Sequence, residues 1–297
     1  PPPAVVTLAP ADGTNIGVLA LNSSSVFFVR SGNNISGIWS VPKTGGTASL
    51  VATTYWPSDV VADDQYVYWT NWSSIQRAPV SGGKAEQLYT GNNIIKLALD
   101  GANIYYTGWS YTTNGAIASI LVGPTSGGTP TVLATGHPSS GALAVDTQHV
   151  YWTDKDWSKG TGSISRVPKA GGTVETVVAC GSCTPVVIRL DSANLYYRNN
   201  DGDVWSRAKS GGDLHFLSSG NTRSQNTWYV DLDVNASVAY WVLNDNSSQS
   251  HGLFRANADG SAWTAIDTAA DTTWIGPRVD DTAIYYFHAG ALLRRNK

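Results

Sequence analysis

Short runs of apolar residues recur along the chain, and most of them carry two aromatic residues in a row. One of these runs is VYWTD, at Val150. The equivalent runs begin at Val26, Val67, Ile104, Val150, Leu195, Ala239 and Ile284. Successive runs start between 37 and 46 residues apart. Self-similarity at such a period indicates a repeat architecture, in which each repeat is one supersecondary unit.

Two turn signals accompany these runs. An Asn or Asp stands four residues before each run: Asn22, Asp63, Asp100, Asp146, Asp191, Asn235 and Asp280. Such side chains fold back onto their own backbone to make turns. Paired glycines follow the first five runs: Gly45–Gly46, Gly82–Gly83, Gly127–Gly128, Gly171–Gly172 and Gly211–Gly212. The sixth repeat has Asp259–Gly260 instead. Both dipeptides suit a two-residue hairpin turn, because that turn needs positive φ.

Each repeat therefore contains four short strands, which in the fourth repeat are GALAVD, HVYWT, SISRVP and TVETVVA. No segment shows a helical period with caps. Four strands in about 40–45 residues are typical of a propeller blade. We predict an all-β chain in which residues 1–297 form a single seven-bladed β-propeller with four-stranded antiparallel blades. The predicted blades span approximately 11–53, 54–91, 92–136, 137–181, 182–220, 221–270, and 271–297 together with 1–10.

The seventh repeat ends after three strands, at GALLRRNK. The N-terminal PAVVTLAP matches the missing outer strand, as TASLVAT does after Gly46. We therefore expect the N-terminal strand to pair with the last blade, which would remove an open sheet edge.

The sequence VYWTD followed by SISRVPKAGG resembles the YWTD repeat of lipoprotein-receptor-type β-propellers. It also resembles tandem sequences from secreted bacterial proteins. The resemblance covers nearly the whole chain and implies the propeller architecture. The chain departs from that family in having seven repeats where the family has six blades, and in lacking the epidermal-growth-factor-like modules that flank those propellers. Because a fold does not carry a function with it, the ligands of that family do not transfer.

Composition excludes some partners. Only 14% of residues are charged and the net charge is −3, which argues against nucleic acid, whose phosphates need clustered Lys and Arg. No apolar run approaches 18 residues, so we expect no membrane span. Abundant Ser, Thr, Asn, Gly, Tyr and Trp with scarce Lys is typical of a secreted β protein, and predicts an extracellular or periplasmic location. The start PPPAVV, without Met, suggests a processed or trimmed terminus.

The two cysteines, Cys180 and Cys183, lie in ACGSCTP. Such a pair is a redox motif, a metal half-site or a tight disulfide. No βαβ pattern supports the redox interpretation, and no second ligand pair supports zinc. We predict a structural disulfide, with no cofactor and no metal.

In a propeller, the loops between second and third strands emerge on the same face as the connections between blades. We call this the loop face; the Asx and Gly-Gly turns lie on the opposite face. Six of the twelve tryptophans are predicted on the loop face. The hairpin loops carry Trp72 in NWSS, Trp109 with Tyr111 in GWSYTTNG, and Trp157 in DKDWSKGTG. The connections carry Trp56, Trp228 and Trp274. Irregular loops on a rigid frame are where function concentrates.

An indole ring beside hydroxyl, amide and carboxylate groups suits the apolar face of a sugar, or a peptide anchor. Two structural alternatives stay open. The tryptophans in the connections can instead fold down as lids between blades, and the repeated Trp69, Trp152 and Trp241 are expected to pack between blades.

Catalytic signals are weak. A propeller lyase needs a base and a cation that neutralises a uronate carboxylate, and such a base must come within about 3 Å of its proton. The loop-face histidines are His137, His251 and His288, and the loop-face arginines are Arg30, Arg198 and Arg223. Nothing in the sequence brings them together. No GxSxG motif is present, and the acidic pairs Asp154–Asp156 and Asp201–Asp203 do not form an EF-hand.

The sequence therefore predicts a secreted, non-catalytic, lectin-like propeller that binds carbohydrate or another small uncharged ligand, with a protein as a possible partner. The predicted ligand-binding residues are Trp72, Trp109, Tyr111, Trp157, Trp56, Trp228, Trp274, His137 and Asp154. One alternative is a secreted carbohydrate-active enzyme, a polysaccharide lyase or hydrolase that uses the central pocket. The other is a protein–protein interaction module.

Overall fold

A computed structural model describes residues 4–32, 36–55, 57–112, 115–137, 140–156, 159–181, 183–218, 231–245, 250–269 and 274–297. These residues form 28 strands in seven four-stranded antiparallel sheets, which confirms the predicted all-β, seven-bladed propeller. None of them forms a helix long and apolar enough to cross a membrane.

The strands are numbered in chain order, and each blade runs from its inner to its outer strand. Blade 1 contains β2 (Asn15–Leu21), β3 (Ser25–Ser31), β4 (Gly37–Pro42) and β5 (Ser49–Thr53). Blade 2 contains β6 (Asp59–Ala62), β7 (Tyr66–Thr70), β8 (Trp72–Pro79) and β9 (Glu86–Ile94). Blade 3 contains β10 (Leu97–Asp100), β11 (Asn103–Thr112), β12 (Gly115–Pro124) and β13 (Thr131–His137). Blade 4 contains β14 (Ser140–Val145), β15 (His149–Asp156), β16 (Thr161–Pro168) and β17 (Glu175–Cys180).

Blade 5 contains β18 (Pro185–Leu190), β19 (Asn194–Asn199), β20 (Val204–Ala208) and β21 (Leu214–Ser218). Blade 6 contains β22 (Leu232–Asn235), β23 (Val238–Asp245), β24 (Ser250–Asn257) and β25 (Thr264–Thr268). Blade 7 contains β26 (Ile275–Val279), β27 (Ala283–His288), β28 (Ala291–Asn296) and β1 (Val5–Ala9).

Blade 7 is closed by the N-terminal strand, as the truncated seventh repeat predicts. Strand β1 pairs with β28 through Val5–Arg295, Val6–Arg294 and Thr7–Leu293. Leu8 and Ala9 are buried against blades 1 and 7. The two ends of the chain therefore share one sheet, and the ring has no open edge at its seam.

The predicted Asx turns form at five of the seven positions, which are Asn22, Asp63, Asp146, Asp191 and Asp280. At Asp100 and Asn235 a two-residue hairpin turn with positive φ joins the strands instead. In blade 2, Asp63 Oδ1 accepts hydrogen bonds from the backbone N–H groups of Gln65 and Tyr66, both at 2.7 Å. Its Oδ2 accepts a hydrogen bond from the Tyr68 hydroxyl at 2.9 Å. The Gly-Gly turns use positive φ, as at Gly45 (94°) and Gly46 (137°). In the first five blades a short polar residue and a glycine pair therefore mark the turns on one face, and in blade 6 Asp259–Gly260 replaces the glycine pair.

The core lies between blades. Trp69, Trp152 and Trp241 are at most 1% exposed, so the repeated tryptophans pack as expected. Trp152 of blade 4, for example, packs in one cluster with Tyr105 and Ile120 of blade 3. Each blade therefore needs its neighbours to bury its aromatic residues.

Ion pairs tie neighbouring blades on the face of the Asx turns. Lys209 of blade 5 donates to Asp146 of blade 4 at 2.8 Å, and Lys169 of blade 4 pairs with Asp100 of blade 3. Lys43 of blade 1 pairs with Asp280 of blade 7 at 2.8 Å, across the seam of the ring. Each of these three lysines directly follows the third strand of its own blade, whereas blades 2, 3 and 6 have Val80, Thr125 and Ala258 at that position.

Candidate functional site

Trp72 is displayed on the loop face by a tight turn. Asn71 N–H donates to the Ser74 carbonyl at 3.3 Å, and Asn71 Oδ1 accepts hydrogen bonds from Ser74 N–H and Oγ–H. Trp72 has a left-handed φ of 75°, which is uncommon for residues other than glycine, and it is 51% exposed. A strained backbone and an exposed ring are both unfavourable for folding, so this residue is a candidate for function.

Trp109 and His137 lie in one row across blade 3. Trp109 on β11 pairs with Ala118 on β12, and Ala118 pairs with His137 on β13. Directly paired residues project from the same face of a sheet, and Ala118 between the two rings carries only a methyl group. Two residues that the sequence places on separate loops therefore lie on the same surface of blade 3, facing blade 4.

Asp154 of blade 4 meets this row from the other side. His137 Nδ1 lies 3.2 Å from Asp154 Oδ2, and the His137 ring packs edge-on against Trp152 with centroids 4.8 Å apart. The side chains are 15% and 9% exposed. A carboxylate accepts rather than donates, so Nδ1 carries the proton and Nε2 of the neutral ring is an acceptor. We name Trp109, His137, Trp152 and Asp154 the blade 3–4 cleft.

Blade 4 itself holds Asp154 in place. Its Oδ2 also accepts hydrogen bonds from Trp152 Nε1–H at 3.0 Å and from Ser165 Oγ–H at 3.2 Å. In blades 2 and 6 the equivalent residues are Asn71 and Leu243. The indole nitrogens of those blades' core tryptophans, Trp69 and Trp241, have no hydrogen-bond partner. Asp154 thus differs from the equivalent residues of blades 2 and 6, and it is held in place by Trp152, which recurs in the repeat.

Three polar atoms of the blade 3–4 cleft remain unpaired. Asp154 Oδ1, His137 Nε2 and Trp109 Nε1 are buried without a hydrogen-bond partner. Buried polar atoms are nearly always paired, and leaving one unpaired costs about 1–3 kcal/mol. With the His137 ring neutral, the set comprises two acceptors and one donor on adjacent blades. A hydroxyl group both donates and accepts, so a polyhydroxylated ligand matches this set.

The other predicted residues do not all join this cleft. Trp274 is 1% exposed and stacks on Tyr286 at 5.7 Å and on His288 at 4.0 Å, so its ring packs in blade 7, as in the lid alternative. Tyr111 lies on β11, and its side chain is outside the described part of the structure. Trp56, Trp157 and Trp228 also lie outside the described residues.

The three histidines are not brought together. His137 lies between blades 3 and 4, His251 is buried on β24 of blade 6, and His288 stacks on Trp274 in blade 7. Within the described ranges, no group of three His, Cys, Asp or Glu residues is arranged to hold a metal ion. Cys180 and Cys183 are joined in a disulfide between β17 and β18, at the connection from blade 4 to blade 5.

The sequence analysis missed a cluster of charges on the inner strands. Arg189 of blade 5 donates to both carboxylate oxygens of Asp231 at 2.9 Å, and Arg278 of blade 7 donates to Asp231 at 2.6 Å. Burial favours a higher pKa for Asp231, but the two arginines outweigh it and bring the pKa to about 2. Burial raises the pKa of the neighbouring Asp233.

The repeat contains a signal for this cluster. Arg189, Asp233 and Arg278 each stand two residues before the Asx-turn residue of their blade, where the other blades have Ala20, Val61, Ala98 and Ala144. Charged residues at an otherwise apolar inner-strand position predict a polar stretch of the central channel.

Comparisons with known proteins support the fold and no more. The chain matches no protein-family model and no curated protein. A solved structure of a nidogen/laminin complex matches with 20% identity over 86% of this chain and 93% of that chain, with a TM-score of 0.58. Oligogalacturonate lyase from Vibrio parahaemolyticus matches with 11% identity, 98% and 93% coverage and a TM-score of 0.69. BamB from Moraxella catarrhalis matches with 14% identity, 95% and 85% coverage and a TM-score of 0.58.

Proposed function

We propose that this protein is a secreted, non-catalytic, lectin-like propeller of YWTD-type repeats that binds neutral carbohydrate at the blade 3–4 cleft. The observation that carries the proposal is the set of three buried, unpaired polar atoms on Asp154, His137 and Trp109. A sugar's hydroxyl groups would complete their hydrogen bonds, and an indole ring suits its apolar face.

Trp72 supports the same assignment from the neighbouring blade. Its ring is 51% exposed on the loop face, although its backbone conformation disfavours a bulky residue. Loops of consecutive blades lie side by side, so we expect a glycan bound in the blade 3–4 cleft to extend across the loops of blade 3 toward Trp72 in blade 2. The hydroxyl-rich loop NWSS around this ring adds donors and acceptors.

The test is a glycan array, followed by titration of the best neutral glycan with three variants. Trp109→Phe keeps a ring but removes the N–H, and we expect affinity to fall about three- to ten-fold, the effect of one lost hydrogen bond. Trp72→Ala should weaken binding about ten-fold or more if the ring stacks on the ligand.

The matched control is Trp263→Ala. Trp263 is also 51% exposed but follows the Asp259–Gly260 turn on the opposite face, so its loss should leave affinity unchanged. The proposal fails if no glycan binds. It also fails if Trp109→Phe and Trp72→Ala bind the glycan as tightly as the parent does.

A second candidate function rests on the His137–Asp154 pair. A histidine oriented by a carboxylate, with its other nitrogen unpaired, has the arrangement of a general base. The alternative is therefore a carbohydrate-active enzyme, and one similar fold belongs to a lyase. Prolonged incubation with a bound glycan distinguishes the two: an enzyme yields cleaved product, and His137→Gln abolishes turnover while binding persists.

A further inference from the structure

Arg198 departs from the repeat near the end of the second strand of blade 5. It lies on β19 of blade 5 and is 2% exposed. The equivalent residues of the other blades are uncharged: Val29, Thr70, Thr107, Thr153, Val242 and Phe287. Thr70 Oγ1 donates to the Ile94 carbonyl just before the next blade, and Thr153 Oγ1 accepts from Ala142 N–H at the start of an inner strand. This position therefore adjoins the loop-face end of the inner strands.

The side chain of Arg198 is buried, and its Nη2 atom has no hydrogen-bond partner in the described part of the structure. Across the described ranges no salt bridge, defined by an N···O distance of at most 4.0 Å, involves Arg198. A buried charge without a counter-ion costs several kcal/mol, so it persists only where another requirement maintains it. Burial lowers the pKa of Arg198 to about 10, and the group remains cationic at neutral pH.

The side chain is on the side of β19 that faces blade 6. Tyr196, two residues earlier on the same strand, packs with Leu232 and Trp241 of blade 6. Residues two apart on a strand project to the same side. Arg198 therefore lies in a different cleft from His137 and Asp154, which lie between blades 3 and 4.

Three carboxylates favour the charged form of Arg198, but none of them forms a salt bridge with it. Asp231 acts on it at long range but is already bonded to Arg189 and Arg278. Asp203 and Asp201, in the turn after β19, have smaller effects, and Asp201 also interacts with Lys155 of blade 4. Around the inner strands of blades 5 to 7, three guanidinium groups thus accompany two carboxylates, Asp231 and Asp233.

We propose that Arg198 is the anchor of a second ligand site, which binds a carboxylate group at the loop-face end of the central channel between blades 5 and 6. A guanidinium presents a planar fork of N–H donors that matches a carboxylate. The ligand class is a small carboxylic acid, either an acidic sugar or a simple organic acid. The site is independent of the neutral-sugar cleft between blades 3 and 4.

The experiment is calorimetric titration of the full chain with sodium glucuronate, sodium acetate and glucose. We expect glucuronate to bind, glucose not to bind at this site, and Arg198→Thr to weaken glucuronate binding at least ten-fold. Threonine occupies this position in three other blades, so the variant should fold. Arg198→Met, which keeps the length without the charge, serves as a second variant. Arg255→Thr, which removes an exposed arginine, should bind as the parent does.

The acetate arm identifies the source of the carboxylate. Acetate binding that Arg198→Thr weakens means that the site recognises the carboxylate alone, whereas glucuronate binding without acetate binding identifies an acidic sugar. The proposal is overturned if neither acid binds the parent, or if both Arg198 variants bind like the parent. Binding of a neutral glycan tests the blade 3–4 cleft separately, because Trp109→Phe should weaken that binding and Arg198→Thr should not.

Discussion

The two faces of the propeller differ in whether several of their polar side chains have hydrogen-bond partners. On the face of the Asx turns, Asp63, Asp146, Asp191 and Asp280 each accept two backbone N–H groups and one tyrosine hydroxyl. On the loop face, Trp109 Nε1, His137 Nε2, Asp154 Oδ1 and Arg198 Nη2 are buried and unpaired.

The difference separates scaffold from candidate function. Hydrogen bonds that recur in most blades and are complete stabilise the ring. The unpaired groups include two residues at which a blade departs from the repeat, Asp154 and Arg198, and stability alone does not explain these two. The comparison predicts that changes on the first face cost stability, whereas changes on the second cost binding.

The largest effect should come from the seam. Removing residues 1–10 takes away β1, exposes the edge of β28 and unburies Leu8 and Ala9. We expect a loss of about 2–5 kcal/mol in the free energy of unfolding, or aggregation through the open edge. Thermal unfolding and light scattering measure it, with a chain lacking only residues 1–3 as control. An unchanged melting temperature would contradict the importance of the seam.

Next comes a comparison of two tryptophans. Trp152→Ala removes a fully buried ring and should destabilise the protein by about 3–5 kcal/mol. Trp72→Ala changes an exposed ring and should change stability by about 0.5 kcal/mol or less. Urea unfolding of both variants measures the contrast. Equal losses would mean that Trp72 belongs to the core rather than to the binding face.

Low pH should reduce the stability that the Asx turns contribute to the fold. Burial favours a higher pKa for Asp146, but hydrogen bonds from Lys209 and from the backbone of Gln148 and His149 outweigh it, and the pKa falls to about 2. Its contribution is complete above the unfolded-state pKa of about 3.9 and is lost as pH falls toward 2. The free energy of unfolding should therefore decline across this range.

The test is urea unfolding between pH 7 and pH 2. Asp146→Asn should flatten the decline between pH 4 and pH 2, whereas Asn at the exposed Asp213 should not. If Asp146→Asn leaves the pH dependence of the free energy of unfolding unaltered, the Asp146 carboxylate does not contribute to acid unfolding.

The smallest scaffold effect should come from the disulfide. Cys180 and Cys183 close a very short loop, which restricts the unfolded chain only slightly. Replacing both with serine should cost about 1–2 kcal/mol at most. Chemical unfolding of the double variant measures the cost, and a larger loss would show that the blade 4–5 connection supports the ring more than its size implies.

The sequence by itself determined the architecture. Seven apolar runs, the Asx residues before them and the glycine pairs after them specify four strands per blade, and the truncated seventh repeat specifies closure by residues 5–9. These features were predictable because they are local and repeated: an Asx turn depends on three neighbouring residues, and a hairpin turn on two glycines. The packing of Trp69, Trp152 and Trp241 follows from the same repetition.

Only the tertiary structure decided which departures from the repeat meet. His137 and Asp154 belong to different blades, and no local sequence pattern shows that the end of β13 lies beside β15. In the structure, His137 Nδ1 is 3.2 Å from Asp154 Oδ2. The burial of Trp274 against His288, and of Arg198 Nη2 without a hydrogen-bond partner, likewise depends on packing between blades. The reason is physical: turns are set by neighbours in sequence, whereas a site is set by neighbours in space.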